Sequence, residues 1–404
     1  MNAVGLIVEY NPFHNGHAYH LQEAKKLADA HVVIAVMSGN FLQRGEPALV
    51  SKWKRTEMAL LSGIDIVFEL PYAFATQKAD TFASGAVSIL EAAGCHSLCF
   101  GSESGNIDTF KRTFDFLESN KKQFDEQVKV YLKEGNSYPK ALSLAFRKVA
   151  STNDFIDLAK PNNILGYQYL KAAYTQNASI HCFTLPRKSA DYHDEHFASQ
   201  SIASATSIRK ALFSDHEQIS TIKQLVPGTT YNSLLQYKHE YGLFHSWEHY
   251  WPYLKFRLTQ MTPNELKSIY EIEEGLENRI LAIALRANTF QQFMAQLKTK
   301  RYTWTRLQRA CVHILTNTTK AEMYMEDERA TYLRLLGMTK RGKDYLNKNK
   351  GKLGLPLISR VSSKQNKQLM LDIRASRIYS FGASKNGPSL LFEKEFKQPP
   401  IILE

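Results

Sequence analysis

Two histidines flanking a glycine, His14-Asn15-Gly16-His17, follow a short apolar run, Gly5 to Tyr10, and open a segment with helical spacing. A strand handing over to a helix through such a turn puts the turn at the carboxyl end of the strand, where open α/β sheets bind ligands. There the helix should present its first free N–H groups and the positive end of its dipole, a natural seat for phosphate. Gly16 would let an anion approach the backbone, and imidazoles can donate to phosphate oxygens. The Walker A pattern is absent here. A second polar turn before a helix, Ser204-Ala205-Thr206-Ser207-Ile208-Arg209, offers hydroxyls in the same manner.

Other side chains fit a phosphate or nucleotide site less specifically. Arg187, after Pro186, could grip a phosphate bidentately or be an exposed turn residue. Asn162-Asn163 could read an adenine edge or form a loop turn. Gly101 ends a strand, at a point where a backbone could pass close to a base or ribose. Glu9 and Glu69 sit in apolar runs and could be catalytic or partner buried cations. Arg44 lies in a polar loop, GNFLQRGEP, as a turn residue or a substrate contact. Cys95 and Cys99, with no second pair, read as buried thiols rather than a zinc site.

The elements needed to position these residues are legible in the first 215 residues. Strand-like runs at Gly5–Tyr10, His31–Met37, Ile64–Leu70, Cys95–Phe100 and Ile180–Leu185 alternate with helical spacing at His17–Ala30, Lys52–Ser62, Thr81–Ala93 and Ser207–Phe213. This predicts an α/β domain over 1–215, a Rossmann-like doubly wound parallel sheet. A polar, helix-rich stretch at about 106–175 reads as an insertion. Beyond 216 strand signals fade: Met261–Ala287 and Thr303–Leu315 are helical by period, and Ile358, Val361 and Leu369–Ile373 fit a small sheet or more helix. Residues 216–404 are therefore expected to form a basic, mainly helical domain.

Charge separates the halves. Residues 1–250 carry 24 basic and 25 acidic side chains, and residues 251–404 carry 27 and 14. An excess confined to one half suggests a polyanionic partner. Lys298, Lys300, Arg301, Arg306 and Arg309 cluster with Tyr302 and Trp304, a mixture suited to unpaired bases, with Trp304 better read as core. Lys340, Arg341, Lys343, Lys348, Lys350 and Lys352 form the densest run, fit to follow a phosphate backbone. No apolar run is long enough to span a membrane and no basic leader precedes the first strand, so a cytoplasmic protein is expected.

The opening motif, GLIVEYNPFHNGHAYHL, is similar to the first motif of the HIGH-superfamily nucleotidylyltransferases. The longer set is more specific: EYNPFHNGH, MSGNFLQRGEPA, FELP, FGSE, KPNNILG and LPR, continued by KRYTWTRLQR, resembles the bacterial tRNA(Met) cytidine acetate ligases. The resemblance implies ATP as a substrate, with Mg²⁺ as an optional companion and no dedicated carboxylate cage. It implies acetate activated as acetyl-adenylate, and transfer to the exocyclic amine of the wobble cytidine of elongator tRNA(Met). It makes His14 and His17 the catalytic, phosphate-facing pair. The ATP site it implies comprises Ile7, Val8, Glu9, Tyr10, Asn11, Pro12, Phe13, His14, Asn15, Gly16, His17, His20, Gly101, Arg187, and Asn162 or Asn163. Arg44, Lys300, Arg301, Arg306, Arg309, Lys340, Arg341 and Lys343 are the tRNA-contact candidates. A small-molecule adenylyltransferase would leave the basic half idle, and a non-catalytic RNA binder would make HNGH a coincidence.

Overall fold

Six residues, Ala3–Val8 (β1), are buried or nearly so on both faces, as the unbroken apolar run requires of a central parallel strand. The computed structural model describes residues 1–150, 154–187, 202–214, 219–273, 275–361, 366–384 and 387–404. After β1 the chain alternates through α1 (Asn15–Leu27), β2 (Val32–Ser38), α2 (Lys52–Leu61), β3 (Ile66–Leu70), α3 (Tyr72–Ala75), α4 (Ala79–Ala92) and β4 (Ser97–Ser102). Four helices, α5 (Ile107–Ser119), α6 (Lys121–Lys133), α7 (Tyr138–Val149) and α8 (Pro161–Thr175), separate β4 from β5 (His181–Pro186), where the sequence predicts an insertion. The five strands run parallel in the order β5-β4-β1-β2-β3. The order reverses beside β1, so the turn after β1 opens at the switch point of the sheet.

The expected boundary near 215 falls on residues outside those described. Beyond it the chain is mainly helical: α9 (Ala205–Leu212) precedes it, and α10 (Gly228–Tyr241), α11 (Trp247–Gln260), α12 (Pro263–Ser268), α13 (Leu276–Ala284), α14 (Phe290–Leu297), α15 (Trp304–Leu315) and α16 (Lys320–Met323) follow. The helical period at 261–287 thus resolves into two helices separated by 269–275, where Glu271 and Gly275 take positive φ. The chain then returns to the sheet. β6 (Leu333–Thr339) pairs antiparallel with β3, and its other edge takes β7 (Leu357–Ile358) and β8 (Ile401–Leu403). Between them lie α17 (Lys340–Asn349), α18 (Lys367–Ser380) and α19 (Gly387–Lys397). The sheet is therefore eight-stranded and mixed, and its last three strands come from the half expected to be helical.

A buried charge cluster fastens this return. Lys52 Nζ, at the start of α2, lies 2.7 Å from Glu69 of β3 and 2.8 Å from Glu395 of α19. Arg334 of β6 donates to the Glu395 backbone carbonyl at 3.2 Å, and all four side chains are at most 3% exposed. Burial opposes the Lys52 charge, but the two carboxylates outweigh it and hold the ammonium above its usual range. Glu69, which the sequence leaves open as catalytic, is a partner in this cluster. Among the described residues no helix is long and apolar enough to cross a membrane.

Candidate active site

His14 is the N-cap of α1. Its Nδ1 accepts the Gly16 N–H at 3.1 Å, while His17 Nδ1 accepts the His14 N–H at 3.3 Å, a capping box built from two imidazoles. Gly16 is required by this cap, because a Cβ there would stand 2.9 Å from His14 Cε1. The two rings stack with centroids 3.7 Å apart, and Tyr10 and Phe13 pack against His17 at 4.9 and 5.6 Å.

This corrects one expectation. The first N–H groups of α1 are not free for a ligand: Gly16 donates to His14, His17 to the His14 carbonyl, and Asn15 to the Leu225 carbonyl. The donor function passes to the imidazoles. With each Nδ1 accepting, a neutral ring must carry its proton on Nε2. Burial lowers the His14 pKa to about 4, reinforced by the guanidiniums of Arg187 and Arg209. Burial also holds His17 well below the usual range, with His14 adding to the effect, and lowers His20 to about 4, with Arg187 contributing. The His20 Nε2 is buried with no partner among the described residues.

Both rings should therefore stay neutral Nε2–H donors at working pH. We expect imidazole ¹⁵N spectra of His14 and His20 to show no titration between about pH 5 and 8, with His14 as the Nε2–H tautomer. The unfolded chain binds these protons near pH 6.5 and the folded chain does not. Stability should thus fall as pH drops from about 6.5 toward 4, and His14→Asn should lessen that fall. A His14 titration near 6.5 would show that burial does not keep the ring neutral, and an Nδ1–H signal would remove the tautomer assignment.

Arg187 follows β5 and donates to Asn162 Oδ1 at 2.9 Å. Asn162 in turn donates from Nδ2 to Glu103 at 2.7 Å, just after β4. Asn163 is 3% exposed and committed internally, accepting from the Ser104 N–H at 3.0 Å and donating to the Asp157 carbonyl at 3.2 Å. Of the pair, Asn162 thus faces the Arg187 side and Asn163 braces the loop. Gly101 leaves room for Arg187, whose Cγ would lie 3.3 Å from a Cβ there. Asn15 is turned away, its Nδ2 donating to the Gln224 carbonyl at 2.8 Å.

Arg209 is absent from the candidates above, although its Ile-Arg turn was the available signal. It donates to the Asn11 carbonyl at 3.0 Å and pairs with Glu46 at 3.0 Å, joining the α9 turn to the turn after β1. Asn11 Oδ1 accepts from the Leu49 N–H at 2.7 Å. Glu9 accepts the Gln43 N–H at 2.8 Å, and burial raises its pKa despite that bond and Arg44. Ile7, Val8, Tyr10, Pro12 and Phe13 form the strand end and the floor of the turn.

The loop carrying Arg44 is fixed against the helical part of the chain. Gly45 has φ +73°, and a Cβ there would meet the Arg309 backbone nitrogen at 2.2 Å, so this loop sits directly on α15. Trp247 Nε1 donates to the Gly45 carbonyl at 2.8 Å. Arg44 is exposed on this loop, as are Lys300 and Arg301 before α15. Arg306 is half-buried, pairing with Glu273 at 3.1 Å over the Tyr302 ring. Arg309 is not at the surface: at 8% exposure it pairs with Glu271 at 2.8 Å.

Lys340, Arg341 and Lys343 lie elsewhere. Arg341 reaches the His31 carbonyl at 3.4 Å and Asp65 at 3.6 Å, the residues just before β2 and β3. Tyr345 donates to the Ala93 and Gly94 carbonyls before β4. Helix α17 thus crosses the amino ends of the strands, opposite the histidines.

The chain resembles known proteins over almost its whole length. The HIGH nucleotidyl transferase family profile matches residues 1–390. The tRNA(Met) cytidine acetate ligase of Lysinibacillus sphaericus is 48% identical over 403 residues, covering 99% of this chain and 100% of the relative. That of a Geobacillus species is 49% identical, covering 100% of both chains. The chain belongs to the tRNA(Met) cytidine acetate ligase family. A crystal structure of Thermotoga maritima TmcAL bound with alpha-thio ATP matches with a TM-score of 0.90 and 31% identity over 100% of both chains. The antiparallel return through β6 thus belongs to an acetate ligase fold continuous over both halves. In this acetate ligase family member, no group of three or more His, Cys, Asp or Glu side chains among the described residues could hold a metal ion.

Proposed function

We propose that this chain is an ATP-dependent tRNA-modifying ligase acting in the cytoplasm. It would join acetate to ATP as acetyl-adenylate and transfer the acetyl group to the exocyclic amine of the wobble cytidine of elongator tRNA(Met). The observation that carries the reading is the pair of stacked imidazoles, each with Nδ1 occupied and Nε2–H left to donate.

Acetate is already ionised at neutral pH, so its attack on the α-phosphorus needs no base. It needs positioning and relief of charge on the phosphoryl oxygens. An acetate oxygen bonds to the α-phosphorus as the bond to the β-phosphate oxygen breaks, and pyrophosphate leaves. His14 and His17 donate to the oxygens gaining charge, and Arg187 and Arg209 add positive potential without supplying a proton. Asn162 orients Arg187. In the second step the cytidine amine attacks the acetyl carbon, a C–N bond forms, the amine loses a proton, and AMP leaves.

Activity should require both ATP and acetate and release AMP and pyrophosphate in equal amounts. Pyrophosphate–ATP exchange should depend on acetate and proceed without RNA. Release of ADP and phosphate, or full activity on acetyl-coenzyme A without ATP, would overturn the reading. Mass spectrometry of tRNA(Met) after incubation with labelled acetate checks the transfer step.

A further inference from the structure

Helix α17 and the turn after it carry six basic side chains and one acidic one between Lys340 and Lys352. All six basic residues are exposed. Arg341 has Asp65 nearby, but none of the five lysines has an acidic partner within 4 Å among the described residues. Some exposed bases elsewhere are paired with neighbouring acids, as in Lys78–Asp80, Arg329–Asp327 and Lys397–Glu393, whereas five lysines without such a partner gather within thirteen residues here. Three of the α17 cations also occupy its first turn, the end where the helix dipole disfavours positive charge. Local helix stability therefore does not account for their placement.

Position excludes a role at the reacting cytidine. The helix is pinned across the amino ends of β2, β3 and β4, while the histidines stand beyond the carboxyl end of β1. The seven residues of β2 alone put about 20 Å between the two ends. A tRNA is several times longer than that. With its anticodon loop at the carboxyl edge, beside Arg44 and Arg306, its stem and body must extend along or away from the flank of the sheet.

We propose that α17 is a second RNA-contact surface, which holds the phosphate backbone of the tRNA body while the anticodon loop occupies the catalytic edge. It rests on the tRNA-modifying reading above. The occupant is fixed by charge complementarity: a cluster of exposed lysines with no acidic partner among the described residues matches a polyphosphate backbone. Such contacts add affinity and register without reading sequence.

The test compares full-length tRNA(Met) with its isolated anticodon stem-loop, binding both to the wild-type chain and to a Lys343→Gln, Lys348→Gln, Lys350→Gln variant across salt concentrations. Melting temperatures serve as the check on folding. The wild type should bind the full-length tRNA more tightly and with a steeper salt dependence than the stem-loop. The variant should lose roughly tenfold affinity for the full-length tRNA, with its slope reduced by about 0.9 per phosphate contact removed. Its affinity for the stem-loop should not change. Equal losses on both RNAs would place α17 at the anticodon arm and overturn the proposal. Unchanged binding of both, or a wild type that binds the two RNAs equally, would overturn it as well. If wild-type chain binds neither RNA, the tRNA reading itself fails, and retained acetate-dependent exchange would then point to a small-molecule acceptor.

Discussion

Replacing His14 or His17 with alanine should lower acetate-dependent pyrophosphate–ATP exchange by about 10²–10³-fold each. That is the cost of removing one donor aimed at developing charge, roughly 2.7–4 kcal/mol. The two losses should not add fully, because the two rings stack with centroids 3.7 Å apart and position each other. His14→Ala should also cost about 0.5–2 kcal/mol of stability through the lost N-cap. His14→Asn separates the effects, since asparagine is a good N-cap acceptor without an imidazole Nε2–H. It should restore the melt and leave exchange low. Wild-type exchange in the double alanine variant would remove this pair from the mechanism.

Glu395→Ala should be among the most destabilising substitutions in the chain, at about 3–5 kcal/mol. It leaves Lys52 and Arg334 buried, with Glu69 alone to balance them. Burial raises the Glu69 carboxyl and the nearby Lys52 opposes that, whereas Glu395 is held below its usual range by Lys52 and Arg334 despite burial. Glu395 therefore carries the charge that the cations depend on. Lys52→Met combined with Glu395→Met should cost much less than the sum of the single changes, because the removed charges cancel. Denaturant unfolding of the three variants checks this. A loss under about 1 kcal/mol for Glu395→Ala would mean that the cluster is not a clamp.

What the sequence made legible was local. The strand, turn and helix around HNGH lie within a few residues of one another, and apolar runs closed by Gly or Pro mark β1 to β4. Strand β6 was hidden because its reason is distant: LRLLGMT carries a buried arginine, Arg334, at its second position, and that arginine is acceptable only beside Glu395. The donors at α1 were misassigned because spacing places a helix start but does not reveal that the side chains cap it. Arg309 looked like a surface cation by its spacing from Arg306. Its burial depends on Gly45 and Glu271, neither close to it in sequence. The basic run at 340–352 was plain in composition, but only the contacts to His31, Asp65 and Gly94 reveal which end of the sheet it covers.

The antiparallel seating of β6 on β3 also bears on how the chain is made. β3 is complete at Leu70, yet the strand that covers its outer edge begins at Leu333. At ribosomal rates of about 5–20 residues per second, roughly 15–50 s pass between the two. Throughout that interval β3 offers a buried-type ladder, apolar apart from Glu69, with one side unpaired, the form of edge most prone to pair with a neighbouring nascent chain. Lys52 and Glu69 already face each other in this early portion, while Glu395 and Arg334 have yet to be synthesised. The buried carboxylate of Glu69 and its lysine thus give the waiting edge an inward-pointing charge, one of the devices by which sheet proteins discourage foreign strands until their own arrives.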